Sequence, residues 1–317
     1  MVDYSEFLAA TMSRLAGNVN IGLGKGELPV ATLTHESGAT AEVYILGAHV
    51  TSWKTSDGVE RLFVSSASAF ARGAAIRGGI PVCWPQFSGR GALPKHGFAR
   101  TSEAWEIESM SSEGGVTTLV LCLEDSEATR AVWPHAFKLR YTVTLGGGEL
   151  DTQLEVTHAG TDGAPPLAFA AALHTYFAVD DVGAVAVTGL RGLRYEDNAA
   201  GGGLAGPEEA DAVAIDGEVD RVYLDAPERL AVVPRAGGAP PLVTLAKRGF
   251  RDAVLWNVGE AKGAGMGDLG AGEWRNYVCV EAGAIGTPVT LQPGETFVGG
   301  QTFAAGGAAA AAPKEEL

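Results

Sequence analysis

Two stretches of this chain set a titratable side chain among apolar neighbours. His174 lies inside LAFAAALHTYF (167–177), and Glu281 lies in NYVCVEAG (276–283). Imidazole titrates near neutral pH, and a neighbouring carboxyl makes it a workable acid–base couple for moving protons on a small molecule. At the period of a strand, Ala172, His174 and Tyr176 share one face, and Leu173, Thr175 and Phe177 share the other. Tyr277, Cys279 and Glu281 share a face in the same way, opposite Val278 and Val280. Each residue also has a plain structural reading. A histidine in an apolar run can be a hydrogen-bonded core residue. A carboxylate ending a strand can serve a cap or an ion pair. Sequence spacing alone does not bring the two together.

A second feature is a run without acids. No Asp or Glu occurs from Arg61 through Ser102, in a chain whose formal net charge is -15. The same run holds Arg61, Arg72, Arg77, Arg90, Lys95 and Arg100, and it is dense in Gly, Pro and aromatic residues. Such a composition makes loops, and cationic groups on loops beside a rigid scaffold suit an anionic small molecule. A guanidinium offers a fixed fork of donors that matches phosphate oxygens. Gly78 and Gly79, next to Arg77, would let backbone come close to a ligand. The competing readings are a solvated basic surface and ordinary surface ion pairs.

Other chemistries lack their motifs. There is no G-x-x-x-x-G-K-[ST] phosphate loop, no G-x-S-x-G elbow, no C-x-x-C pair and no H-E-x-x-H. The six histidines fall singly at 35, 49, 96, 135, 158 and 174. No metal and no cofactor is expected. The acidic balance argues against nucleic acid and anionic membrane as partners. Cys83, Cys122 and Cys279 each sit in an apolar run and read as small buried hydrophobes in a reducing compartment. No secretory signal or membrane span is apparent, so the expected location is cytoplasmic. The terminal Lys-Glu-Glu-Leu is read as part of a polar tail.

The elements that must position these residues are strands. VATLTH and ATAEVYIL flank Glu36-Ser37-Gly38 as a hairpin, and a third strand-like run carries His49 and Trp53. VTTLVLCLE (116–124), FKLRYTVTL (137–145) and LDTQLEVTH (150–158) alternate as antiparallel strands with one buried face. Further short runs follow to ETFVGGQTF, separated by Gly, Pro, Asp and Asn turns. The pattern predicts an all-β fold, a sandwich or barrel in one domain, with helix confined to short pieces. Residues 3–16 read as a short amphipathic helix, 197–218 as a long inserted loop, and 304–317 as a disordered Ala/Gly tail.

RGGIPVCWPQF (77–87), KHGFAR (95–100) with Trp105 beyond it, ALHTYF (172–177) and VCVE-x-G (278–283) occur in order. Together they resemble the D-hexose-6-phosphate mutarotases of the aldose 1-epimerase, galactose mutarotase-like superfamily. The resemblance covers residues 25–303 and leaves 1–24 as an N-terminal extension. It implies a large antiparallel β-sandwich, the mutarotase-like supersandwich. It also implies interconversion of the α and β anomers of hexose 6-phosphates, glucose 6-phosphate first. His174 would be the acid and Glu281 the base. Arg77 and Arg100 match the substrate- and phosphate-binding arginines, and Asp220 in VDRVY matches an aspartate that contacts sugar hydroxyls. Lys95 stands where the family usually has Gln, so its part is open, and His96 beside it could bond a sugar hydroxyl or serve its neighbours. Val258 follows Trp256-Asn257 where the family has Pro, a change of loop shape. Asp252, in RDAVLWN, could orient neighbours. Trp84, Phe87 and Trp256 could stack on a sugar, although aromatics are more often core. A monomer acting on a small molecule is the expected state. The rival readings are an epimerase of unphosphorylated aldoses, a non-catalytic sugar-phosphate binder, and a glycoside hydrolase, which would need a second carboxylate beside Glu281.

Overall fold

The computed structural model describes residues 17–306. The helix expected at 3–16 lies outside the described residues, as does 307–317 of the tail expected at 304–317, whose first residues instead complete the strand Thr296–Ala305. The described residues form three antiparallel sheets. A four-stranded sheet runs Val19–Leu23, Pro29–Thr34, Thr40–Tyr44, His49–Lys54 in chain order. The expected hairpin is its centre, and Val19–Leu23, within the expected extension, pairs along Pro29–Thr34.

A nine-stranded sheet is built on the long alternating strands Val116–Glu124, Phe137–Leu145, Glu149–His158 and Thr296–Ala305. Along Phe137–Leu145 every second residue is buried, as the period of two requires. Glu106–Glu113 forms its outer edge. That strand carries few apolar residues and gave no sequence signal.

An eight-stranded sheet holds Tyr195–Asp197, Val219–Tyr223, Asp252–Asn257, Tyr277–Leu291 and Leu167–Leu173 in that order, with Val82–Cys83 at one edge, Leu204–Ala205 at the other, and Tyr176–Ala178 also paired to Tyr277–Leu291. Asp252–Asn257 and the first nine residues of Tyr277–Leu291 are buried almost throughout, so these central strands read as continuous apolar runs. NYVCVEAG and PVTLQ, separate runs in the sequence, are one strand of 15 residues here. The small residues between them pass a register shift between Phe169 and Ala171 on the neighbouring strand.

The two large sheets and the small one close on a single apolar cluster. Leu139, Tyr141, Leu154 and Phe303 meet Leu173, Phe177, Val278 and Val280, with Val50 and Trp53 from the small sheet. Among the described residues, helix is limited to short pieces such as Glu127–Val132, opened by a Ser126 capping box, and Gly259–Gly263. The stretch 197–218 is not the plain loop expected. It supplies Leu204–Ala205 to the edge of one large sheet and Ala212–Ala214 to the edge of the other. Its short apolar pairs gave too little periodicity to read as strand.

Candidate active site

Register brings His174 and Glu281 together. Leu173 pairs with Ala282, and Tyr176 pairs with Cys279. Between these pairs the ladder breaks for two residues, which places His174 and Thr175 across from Glu281 and Val280. The His174 amide donates instead to the Pro81 carbonyl at 3.0 Å. On the far side of the strand, Glu281 pairs with Val254 and Cys279 with Trp256, and Trp256 in turn pairs with Asp220. Residues two apart on a strand leave the same face. One face of the eight-stranded sheet therefore carries His174, Glu281, Trp256 and Asp220.

That face floors an open cleft of about 370 Å³. Arg77, Lys95, His96, His174, Asp220 and Glu281 line it, with Phe87, Ser88, Val254 and Trp256. Of the expected site residues, only Arg100 stands behind the lining. Its guanidinium donates to the Lys95 carbonyl at 2.9 Å, and its Nε is buried without a hydrogen-bond partner. Trp84 does not reach the cleft. It is fully buried between Phe98, Trp133, Phe137 and Phe169 in the core. A larger hollow of about 670 Å³ by Val59, Phe177 and Leu242 is less suited to chemistry. Its charged walls Glu60 and Arg61 are already committed, to Trp53 and to Asp57.

Gly78 and Gly79 serve the protein rather than a ligand. With φ of +115° and +63°, they let this segment cross the Phe63 and Val50 carbonyls, where a Cβ would meet oxygen at 2.2 Å in each case. The Gly78 carbonyl accepts from Nε2 of buried His49 at 2.7 Å. Asp252 is likewise internal. Its carboxylate accepts from the amides of Ile285, Gly286 and Asp225, pinning the long central strand to its neighbours. Asn257 braces the loop that follows Trp256, donating to the Trp274 and Tyr277 carbonyls and accepting from Gly259.

Nδ1 of His174 lies 3.1 Å from Oε1 of Glu281. The approach is not aligned as a hydrogen bond. Among the described residues, Nδ1 and both carboxylate oxygens are buried without a hydrogen-bond partner. Glu281 is 1 % exposed and His174 7 %. Burial raises the Glu281 carboxyl well above the usual range; Asp220 pushes the same way and Lys95 opposes it. Burial holds His174 well below the usual imidazole value, helped by His96, Arg77 and Arg100. An ion pair at this distance would draw both groups toward their charged forms. Burial prevails here, because nothing donates to the carboxylate. Carboxyl with neutral imidazole and carboxylate with imidazolium hold the same number of protons, so the two states differ by one transfer between neighbours.

Around this pair the cleft is ordered. His174 stacks on Tyr176 with ring centroids 4.8 Å apart, and Trp256 stands edge-on at 5.6 Å. His96 meets His174 at 5.3 Å and Phe87 at 5.2 Å. It is held at φ +66°, a strained value for a residue with a Cβ, by its amide bond to the Ser88 carbonyl. Its Nδ1 accepts from the Ser88 amide, and burial, with Arg100 and Lys95, lowers the imidazole to about 3. His96 is therefore a neutral donor at the cleft wall.

The cations divide into two groups. Arg61, Arg72, Arg77 and Arg90 pair with Asp57, Glu103, Asp268 and Glu196. Lys95 is exposed at the cleft and carries no ion pair among the described residues. Arg77 spends Nε and Nη2 on Asp268 and Nη1 on the Tyr176 hydroxyl. Sequence reasoning missed Asp268, because an acid in a Gly-rich loop gives no signal until the fold sets it beside Arg77. It also missed Asn198, whose amide donates to Asp220 Oδ1 at 2.8 Å.

Residues 29–304 match the aldose 1-epimerase family. A Cenchrus ciliaris protein provisionally named glucose-6-phosphate 1-epimerase is 40% identical over 265 residues, 82% of this chain and 79% of that one. An Escherichia coli protein with the same provisional name is 33% identical over 264 residues, 80% of this chain and 83% of that one. The crystal structure of a Salmonella typhimurium protein provisionally called a mutarotase superposes with a TM-score of 0.82 at 27% identity, covering 95% of this chain and 99% of the other. A galactose mutarotase-like protein from Clostridium acetobutylicum gives 0.68 at 13% identity, covering 90% and 97%, which speaks for the fold alone.

Proposed function

The chain belongs to the aldose 1-epimerase family and is an isomerase of the mutarotase type, and from that premise we propose that it interconverts the α and β anomers of hexose 6-phosphates, glucose 6-phosphate first. The observation that carries this reading is the buried Glu281 carboxylate, 3.1 Å from His174 on the floor of a cleft that Lys95 also lines, with no donor to Glu281 and no ion pair for Lys95 among the described residues. The sugar supplies what the free site lacks. Its C1 hydroxyl is a donor for Glu281, and its phosphate offsets the cations that depress His174.

Glu281 takes the proton of the C1 hydroxyl while His174, as imidazolium, gives one to the ring oxygen. The C1–O5 bond breaks and the aldehyde is released from the hemiacetal. C1 turns about C1–C2, and the ring closes on its other face with the two roles exchanged. Asp220, held by Asn198, bonds sugar hydroxyls, and His96 donates to another. Trp256 and Phe87 give the ring an apolar wall. Lys95 receives the phosphate with Arg100 behind it, and Arg77 adds its charge from the wall. The names of the Cenchrus and Escherichia relatives support the phosphorylated substrate. A neutral sugar would leave the unpaired Lys95 without a counterpart.

NMR exchange spectroscopy between the anomeric C1 protons of glucose 6-phosphate and of glucose tests the substrate. Exchange accelerated by the protein for the phosphate ester alone is the expected result. Equal acceleration of both sugars would make the chain a general aldose epimerase.

A further inference from the structure

The proton-transfer pair has a neighbour that anomerisation does not use. Cys279 precedes Glu281 by two residues and leaves the same face of the strand Tyr277–Leu291. A ring nitrogen of His174, Sγ of Cys279 and a carboxylate oxygen of Glu281 lie within 4.8 Å of one another. All three residues are buried. His174 Nδ1 and both Glu281 oxygens have no hydrogen-bond partner among the described residues. A nitrogen, a sulfur and an oxygen donor thus lie close together beneath the cleft.

Imidazole, thiolate and carboxylate are the donors that Zn²⁺ takes, and three protein ligands with an open fourth position are the pattern of its accessible sites. Mg²⁺ and Ca²⁺ prefer all-oxygen shells, so the sulfur selects a softer ion. Tetrahedral coordination sets such donors about 3.5 Å apart. The cluster needs only side-chain adjustments of roughly an ångström to reach that.

We propose that His174, Cys279 and Glu281 form a site for a thiophilic divalent cation of the Zn²⁺ type, and that the bound cation switches anomerisation off. Both members of the acid–base pair become ligands, so neither can accept or give the proton that ring opening requires. The thiol proton and the proton held by the Glu281 carboxyl are both released to solvent as thiolate and carboxylate form on the metal, and His174 binds as the neutral imidazole. His174 and Glu281 line the cleft, so the open coordination position faces the place of the sugar and the cation competes with substrate. The inhibitory half of this inference rests on the epimerase reading; the binding half does not.

The test uses the full-length protein and two readouts. Zn²⁺ added during anomeric exchange should slow it, and a chelator should restore it. Co²⁺ titrated in parallel should give the near-ultraviolet charge-transfer band of a thiolate ligand, which glucose 6-phosphate abolishes as it displaces the ion. Cys279→Ser should keep exchange, lose the band, and weaken cation binding by more than about 100-fold, above what loss of an outer partner alone causes. Cys279→Ala provides the same test if the serine variant folds poorly. Cys122→Ser, on the nine-stranded sheet, should change neither readout. A thiolate band that survives in both Cys279 variants, or that ignores glucose 6-phosphate, overturns the proposal. A band dependent on Cys279 in a protein that never accelerates exchange supports the site and removes the epimerase reading instead.

Discussion

Glu281 sets the energetics of the cleft. A buried carboxylate without donors costs the folded state about 1–3 kcal/mol or more, and the raised carboxyl shows where that cost lies on the pH axis. A carboxyl raised on folding holds its proton more tightly when folded, so the penalty grows as pH rises from about 4.3 through the folded value. Glu281→Gln should therefore stabilise the protein by roughly 1–3 kcal/mol at pH 8 and by less at pH 5 while removing activity, as urea unfolding at the two values will reveal. An unchanged or lower stability at pH 8 would mean that the carboxylate is satisfied in the free protein. Lys95 makes the opposite case, a charged group with no ion-pair partner among the described residues. Lys95→Gln should raise KM for glucose 6-phosphate roughly tenfold with kcat little changed, the value of one charge-assisted contact. Arg77→Lys should do less to KM than the loss of a free phosphate ligand would, since Asp268 and Tyr176 already occupy its donors.

At the scale of elements, the site is a product of strand register. Alternation along 137–145 and 150–158 made those strands legible in the sequence, because one face is buried and the other is not. The same rule correctly put His174 with Tyr176, and Glu281 with Cys279, on shared faces. It could not say that these strands are neighbours. That pairing is fixed by long-range packing, and no spacing within either run encodes it. Glu106–Glu113 was missed because an exposed edge strand needs little apolar content. Gly78 and Gly79 were misjudged because a positive φ is visible in composition, while what crosses the glycine is not. Asp252 is the clasp of the central strand, and removing its carboxylate leaves three amides without an acceptor. Asp252→Ala should destabilise by roughly 3 kcal/mol in chemical denaturation, with KM for the sugar phosphate nearly unchanged. A large KM effect at full stability would move Asp252 into the binding site.

Taken as a whole, the molecule concentrates neutral histidines around one cationic pocket within a strongly acidic chain. Burial lowers His49 to about 4 and His96 to about 3. Both imidazoles refuse a proton that the unfolded chain accepts below about 6.5. Stability is then undiminished by these groups above that value, and each removes close to 1.4 kcal/mol per pH unit as pH falls toward its folded value. Denaturation midpoints should drop from pH 7 to pH 5, and His49→Gln or His96→Gln should flatten the slope. A slope unaffected by both substitutions would place the acid sensitivity elsewhere. The central claim, that His174 and Glu281 pass protons to and from the sugar as a pair, is tested most directly by anomeric exchange of glucose 6-phosphate with the wild-type protein, His174→Gln, Glu281→Gln and the double variant. The account predicts that each single change slows exchange by about 10²–10⁴-fold and that the double variant is hardly slower than either. Near-wild-type exchange in a folded His174→Gln protein would contradict it.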